Sequence, residues 1–232
     1  MIWRLLIAGL VGGVCYLDRT AACQVMLHRP LVVATLMGGI FGNLVAGGQV
    51  GVVLELLYLA RLPVGASVPP DDTGAAVFAG SAAAVASSSL GLDAGSFTAL
   101  ILLSVPFAEF GRGVDRMVRK LNGRIAQLTL DSVERGDLEG VEHGLLAGLA
   151  LFAITGVVLS LAFSGAGIGV SKLLLSRFGP ASRLDFSSLQ PMLPLVGAAS
   201  VYSCGRTERT SGLFLLSMAA MFGATLFFHW AA

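Results

Sequence analysis

Two acidic positions carry the clearest chemistry in this sequence. The first, Glu55, stands between apolar residues in the glycine-rich segment 38–59. If this segment lies in a membrane, an ionised side chain there costs at least roughly 2.5 kcal/mol, and such residues are usually functional. A carboxylate only accepts hydrogen bonds and can engage two neighbouring hydroxyl groups, such as those of a sugar. We therefore expect Glu55 to bind a polar solute, with a salt bridge to Arg29 or Arg61, or a position near the membrane interface, as the structural alternatives.

The second acidic position is the pair Asp71-Asp72, which directly follows two prolines. Consecutive prolines cannot continue a helix and push the residue before them into an extended conformation. A long stretch of small residues follows, and Asp72 or Thr73 is predicted to cap the helix that it forms. One acid, for which we favour Asp71, is then left to contact a ligand. The adjacent helix N-terminus would favour an anionic or hydroxyl group.

The other reactive residue types do not form a recognisable catalytic or metal-binding pattern. Three histidines and three cysteines are scattered without the spacing of metal ligands, of a disulfide framework or of a nucleophile with its base. We therefore predict no catalytic residue, no cofactor and no bound metal. Gln24 and His28 are four residues apart and would share one face of a helix. A single histidine is nevertheless more often a packing or interface residue than a catalytic one.

The composition predicts a membrane protein. Of the 232 residues, 55% are hydrophobic and only 12% are charged, with a mean hydropathy of +0.83, whereas a soluble domain carries about 25% charged residues. The net charge of +1 argues against a nucleic-acid partner. Crossing about 30 Å of hydrocarbon takes roughly 20 helical residues. Charge-free windows of about that length are 30–54, 73–92, 144–171, 186–205 and 210–228.

Two shorter apolar stretches need separate interpretation. Residues 5–17 are interpreted as a retained first helix rather than a signal peptide, because the residues before Cys15 match a cleavage site poorly and further apolar spans follow. Residues 94–108 fit a tilted span, a re-entrant arm or an interfacial helix.

We predict an all-α polytopic membrane protein with one domain, 1–232. Its first half, 1–108, is rich in glycine, proline and isolated ionisable residues, which predicts broken helices, re-entrant ones among them, and the solute-contacting site. About three simpler spans are expected in 144–232. The charged segment 109–143 is predicted to be a cytoplasmic connection with an amphipathic helix. It is either a solvated helix without a specific partner or a docking surface for a cytoplasmic protein.

The segment 28–72 resembles the membrane IIC component of the mannose/fructose/sorbose family of the bacterial phosphotransferase system (PTS). Each matching motif is common alone, but their order is highly specific. The motifs are, in order, Arg29-Pro30-Leu31, Gly42-Asn43, Gly47 with Gly51, Glu55-Leu56, Val64-Gly65-Ala66 and Pro69-Pro70-Asp71. A looser likeness runs over most of the chain.

This resemblance implies a function and a set of partners. IIC proteins of this family pair with a second membrane subunit, IID. Together they bind a hexose of the mannose, fructose, sorbose or N-acetylgalactosamine class and move it across the bacterial inner membrane by an elevator-like displacement. Soluble IIA and IIB proteins carry the phosphoryl group on their own histidines, and IIB phosphorylates the sugar. The resemblance also suggests a multi-pass subunit in the lipid bilayer and a homo-oligomer of IIC–IID pairs.

The resemblance also implies sugar contacts. The acids of the family's Glu-Leu and Pro-Pro-Asp motifs fall on Glu55 and Asp71, and Gly65 is carried over with them. Gln24 is the best match for a polar residue ahead of the Arg-Pro-Leu motif. Asn43 stands where the family usually has an aspartate, which removes a charge but keeps a hydrogen-bonding side chain. Because of this departure, the alternative function is a regulatory membrane protein that has the same scaffold and does not transport.

Overall fold

The computed structural model of this protein describes residues 1–61, 67–90, 94–177 and 195. Within these residues the chain forms six α-helices and no strand, as the composition predicts. The helices are α1 (Ile2–Thr20), α2 (Pro30–Phe41), α3 (Leu44–Tyr58), α4 (Asp72–Leu90), α5 (Ala94–Glu134) and α6 (Leu138–Arg177). Gly65 and, except for Leu195, the predicted spans 186–205 and 210–228 lie outside the described residues.

The window 30–54 is not the single span that its length suggests. Gly42, with φ of +106°, breaks it into α2 and α3, and the Asn43 side chain caps α3 by accepting a hydrogen bond from the Ala46 amide at 3.0 Å. The two helices pack antiparallel, and a Cβ on Gly38 would lie 2.8 Å from Gly47 Cα. Each is shorter than the roughly 20 residues that a span needs. The expected broken helices in the first half are therefore present.

Helix α4 is the centre of the bundle. All of its residues from Thr73 to Ala86 are buried, and α2, α3, α5 and α6 pack around it. Its Ala, Gly and Ser residues let the neighbouring backbones come close, which is typical of helices packed in membranes. A Cβ on Gly80, for example, would lie 2.7 Å from the carbonyl oxygen of Ala34. Within the predicted window 73–92, residues 73–90 thus belong to one helix.

Helix α1 packs antiparallel on α6 through glycines on both sides. A Cβ on Gly156 would lie 2.5 Å from Tyr16 Cβ, and a Cβ on Gly12 would collide with the Ser160 side chain. This close approach fixes the C-terminal end of α1 beside the middle of α5 and α6. The position of that end matters because the last turn of α1 contains Asp18 and Arg19.

Helices α5 and α6 form a long hairpin. They have 41 and 40 residues, so each is about 60 Å long. Gly136, with φ of +69°, makes the turn, and Asp137 accepts a hydrogen bond from the Gly140 amide at 3.1 Å. The charged segment 109–143 is therefore the second part of α5, the turn and the start of α6, and the apolar stretch 94–108 is the first part of α5. Both helices are long and apolar enough to cross a membrane.

Candidate functional site

Polar side chains and backbone groups from five helices meet at the N-terminal end of α4. The end of α1, the start of α2, the end of α3 and the middle of α5 all reach this region. The connecting hydrogen bonds and ion pairs are Arg19 with Asp71, the Thr73 hydroxyl to the His28 carbonyl oxygen at 3.0 Å, Arg29 with Glu55 at 3.2 Å, and the Asp71 amide to the Ala108 carbonyl oxygen at 2.9 Å. We call this group the polar junction. It forms because broken helices end here, where each leaves unpaired backbone groups.

Asp71 is the most enclosed charged residue of the polar junction. Its side chain is 1% exposed, and both carboxylate oxygens have partners. Arg19 Nη1 and the Gly74 amide, the latter at 3.0 Å, donate to Oδ1, while the Tyr16 hydroxyl donates to Oδ2 at 2.5 Å. The backbone of α5 lies directly against the carboxylate, because a Cβ on Gly111 would collide with it.

The prediction that Asp72 or Thr73 caps α4 is wrong, because Asp71 is the cap. The helix begins at Asp72, so the residue before it is Asp71, whose side chain reaches the amide of the third helical residue, Gly74. Asp72 instead lies in the first turn, where its Oδ1 is 3.4 Å from Arg19 Nη2. The acid that we expected to contact a ligand is therefore also the cap of α4, whereas the sequence analysis assigned the two roles to different residues.

Glu55 has a more open environment. Its side chain is 20% exposed, and Oε1 lies 3.2 Å from Arg29 Nη1. Its Oε2 accepts a hydrogen bond from the Leu31 amide at 3.3 Å, which is one of the free amides at the start of α2. The salt bridge to Arg29, named above as a structural alternative, is present. The carboxylate can still accept further hydrogen bonds, because it has about four acceptor positions.

Gln24 lies in the connection between α1 and α2. Its side chain is exposed and its φ is +50°, so it does not share a helical face with His28. The connection is anchored by Asp18, which is buried and accepts hydrogen bonds from the Val25 amide at 2.6 Å and the His28 amide at 3.2 Å. His28 Nδ1 also lies 2.9 Å from Asp18 Oδ2. This anchoring holds Gln24 at the same end of the bundle as Glu55 and Asp71.

Asn43 is at the other end of α3. Its amide nitrogen donates to the Ser87 hydroxyl at 2.8 Å, and its oxygen caps α3. Glu55 is twelve positions further along the chain, which corresponds to about 18 Å of helix. The fold therefore brings together Glu55, Asp71 and Gln24 and leaves Asn43 apart from them.

The residues that sequence reasoning missed are on α1. Tyr16, Asp18 and Arg19 supply the partners of Asp71 and the anchor of the connection. The sequence feature that could have identified them is the adjacent pair Asp18-Arg19 at the end of an apolar run. Charged residues in such a position require partners. Arg19 and Asp71 are 52 residues apart, so only the tertiary fold identifies them as a pair.

The polar junction offers hydrogen-bond donors and acceptors rather than reactive groups. Within the described ranges, no group of three or more His, Cys, Asp and Glu residues could hold a metal ion. Carboxylates, an arginine, a tyrosine hydroxyl and helix ends are the groups that bind polar solutes in membrane proteins. The fold and the polar junction together define an α-helical membrane protein of the transporter class.

Comparison with known proteins identifies the family within this class. The family described as the PTS system sorbose-specific IIC component (EII-Sor) matches residues 2–227, and this chain belongs to it. The mannose-specific EIIC component of Escherichia coli K12 is 26% identical over 195 residues, which cover 83% of this chain and 70% of that protein. The fructose permease IIC component of Bacillus subtilis 168 is 30% identical over 142 residues, covering 61% of this chain and 48% of that protein.

Two solved structures have the same fold. One, described as a membrane protein, has a TM-score of 0.74 and 18% identity over 100% of this chain and 96% of that chain. The other is the mannose transporter ManYZ in complex with microcin E492, with a TM-score of 0.63 and 20% identity over 95% of this chain and 86% of that chain. The predicted membership of the PTS IIC family is confirmed. The chain is a sugar permease component of the mannose/sorbose/fructose class and not a catalytic enzyme.

Proposed function

We propose that this chain is a IIC subunit that binds a hexose together with a IID membrane subunit and moves it across the bacterial inner membrane. The observation that carries the proposal is the family match over residues 2–227. Relatives named for mannose and fructose support a hexose of the mannose, fructose, sorbose or N-acetylgalactosamine class. In this proposal IIA and IIB supply the phosphoryl group, and IIB phosphorylates the sugar at the cytoplasmic face.

The proposed assembly is a multi-pass complex of several IIC–IID pairs. The structural likeness to the mannose transporter ManYZ supports a membrane complex of this kind. An elevator-type movement of the sugar-binding elements fits the short, broken helices α2 and α3, because substrate sites of many transporters are formed by discontinuous helices.

Glu55 is the proposed first contact for the sugar. It is the more exposed of the two acids, and it can accept hydroxyl donors at positions that Arg29 and the Leu31 amide leave free. Asp71 is the proposed second contact, after a rearrangement that uncovers it. Gln24 extends the proposed site from the connection, and Gly65 stays a predicted sugar contact. Asn43 remains a predicted sugar contact. Because it lies at the other end of α3 from Glu55, the two residues would contact the sugar at different steps of transport.

The test is sugar-dependent phosphate transfer by the reconstituted IIC–IID complex with IIA and IIB. We expect Glu55→Gln to abolish transfer, because the amide replaces one acceptor oxygen with a donor. Asp71→Asn is expected to do the same. Both variants must reach wild-type levels in the membrane, which immunoblotting checks.

The matched control is Glu139→Gln, which makes the same change at an exposed position near the tip of the α5–α6 hairpin. It should transfer phosphate at the wild-type rate. Wild-type rates in both Glu55→Gln and Asp71→Asn would refute the site assignment.

One observation favours a second candidate function. Both carboxylate oxygens of Asp71 are already bonded, by Arg19, Tyr16 and Gly74, as expected for a scaffold that has kept its fold and lost its ligand. A regulatory membrane protein without transport would show no binding of mannose, fructose or sorbose to the purified IIC–IID pair. Saturable binding of any of these sugars excludes this candidate.

A further inference from the structure

Arg19 ties the last turn of α1 to the turn that precedes α4. Its guanidinium pairs with the Asp71 carboxylate, donates to the Pro70 carbonyl oxygen at 3.0 Å and lies 3.4 Å from Asp72 Oδ1. Only 9% of its side chain is exposed. An arginine can make several hydrogen bonds from one rigid plane, so it holds this acidic turn in one geometry.

Asp71 is closed to solutes in this arrangement. Tyr16, Arg19 and the Gly74 amide occupy its oxygens, and the α5 backbone at Gly111 covers the carboxylate. A sugar hydroxyl can reach Asp71 only if the carboxylate separates from α5 and exchanges at least one of its partners from α1.

We propose that Arg19 and Tyr16 are positioning residues that compete with the sugar for Asp71 and so set the affinity for the hexose. The proposal rests on the proposed function, because it takes Asp71 as a sugar contact. A carboxylate is an acceptor only, so the α1 donors and the sugar hydroxyls address the same two oxygens. The closed arrangement satisfies Asp71 from α1, and the bound arrangement satisfies it from the sugar.

The charge balance explains why Arg19 favours the closed arrangement. Removing one partner of a buried ion pair leaves an uncompensated charge, which is strongly destabilising. Without Arg19, the closed arrangement would hold an uncompensated buried charge on Asp71. Its free energy would rise relative to an arrangement in which Asp71 contacts water or a ligand. The closed arrangement would then lose population to the competent one. The apparent dissociation constant falls by the same factor as the competent fraction rises.

The test is a titration of the purified IIC–IID complex with mannose, fructose and sorbose. We expect Arg19→Met to lower the Kd of the sugar that binds by roughly 3- to 10-fold, through this population shift. Arg19→Lys keeps the charge but loses the planar group that also bonds Pro70, so it is expected to lower the Kd by less than Arg19→Met does. The matched control is Arg119→Met, because Arg119 pairs with Asp115 at 3.1 Å on α5 and its side chain is 47% exposed. Its Kd should equal that of wild type.

Tyr16→Phe provides a second variant that keeps the ring and removes one donor to Asp71. It is expected to lower the Kd by a smaller factor than Arg19→Met. If Arg19→Met does not fold, Tyr16→Phe decides alone. A Kd that is unchanged or raised in the variants that fold overturns the proposal. A purely structural role would lower thermal stability and leave the Kd of the folded protein unchanged.

Asp71→Asn separates failure of this proposal from failure of the proposed function. If this variant binds sugar as wild type does, Asp71 is not a sugar contact, and the competition does not exist. If it abolishes binding while Arg19→Met and Tyr16→Phe leave the Kd unchanged, the sugar contact stands and only the competition is refuted.

Discussion

The two acid–arginine pairs of the polar junction differ in how much solvent reaches them. In the Arg19–Asp71 pair the side chains are 9% and 1% exposed, whereas in the Arg29–Glu55 pair they are 29% and 20% exposed. Asp71 is also bound by Tyr16 and caps α4. An arginine and a carboxylate thus form a buried pair that joins helices in the first case. In the second case they form a partly solvated pair, whose carboxylate can accept other donors.

The largest expected effect is on the buried pair. Asp71→Ala leaves Arg19 without its main partner and removes the cap of α4. We expect a loss of about 3–5 kcal/mol of stability, the cost of breaking a buried ion pair. Thermal unfolding of the purified complex in detergent measures it. The matched variant Glu55→Ala is expected to cost about 1 kcal/mol or less, because its pair is partly solvated. Equal losses in the two variants would contradict the contrast drawn here.

The next effect tests how closely α5 covers Asp71. Gly111→Ala would place a methyl group into the carboxylate, and overpacking of this kind costs about 1–3 kcal/mol. The matched control is Gly113→Ala, two residues along the same helix, where a Cβ meets nothing within 4 Å. There alanine should be neutral or stabilise the helix by roughly 0.5–1 kcal/mol. Thermal unfolding compares the two, and equal behaviour would mean that α5 does not seal Asp71.

The local features of this fold followed from the sequence. The apolar windows and the helix after the double proline are short-range signals, and the first half is broken as expected. The exact cap of α4 was misplaced by one residue, since several adjacent polar residues there can all act as caps. The window 30–54 suggested one span, whereas it forms two helices. An apolar window that contains several glycines does not show at which of them the helix ends.

The candidate site followed only in part. Glu55 and Asp71 were recognisable because charges in apolar segments need partners, and the fold does bring them to one end of the bundle. Their partners were not recognisable. For Glu55, Arg29 was named as one of two arginine options. Arg19 reaches Asp71 only through the packing of α1 on α6, where glycines allow the close approach, and no spacing rule connects them.

The smallest expected effect is the coupling energy of the exposed pair. A double-mutant cycle with Arg29→Gln and Glu55→Gln should give about 0.2–1 kcal/mol, as for other partly solvated pairs. Raising the salt concentration from about 0.1 M to 1 M shortens the screening length from about 10 Å to 3 Å and should reduce this coupling. The same cycle on Arg19 and Asp71 should give a larger value that salt barely changes, because water and ions do not reach it. If salt weakened both couplings equally, the Arg19–Asp71 pair would have to be hydrated. Asp71 would then be open to a sugar without any displacement of Arg19.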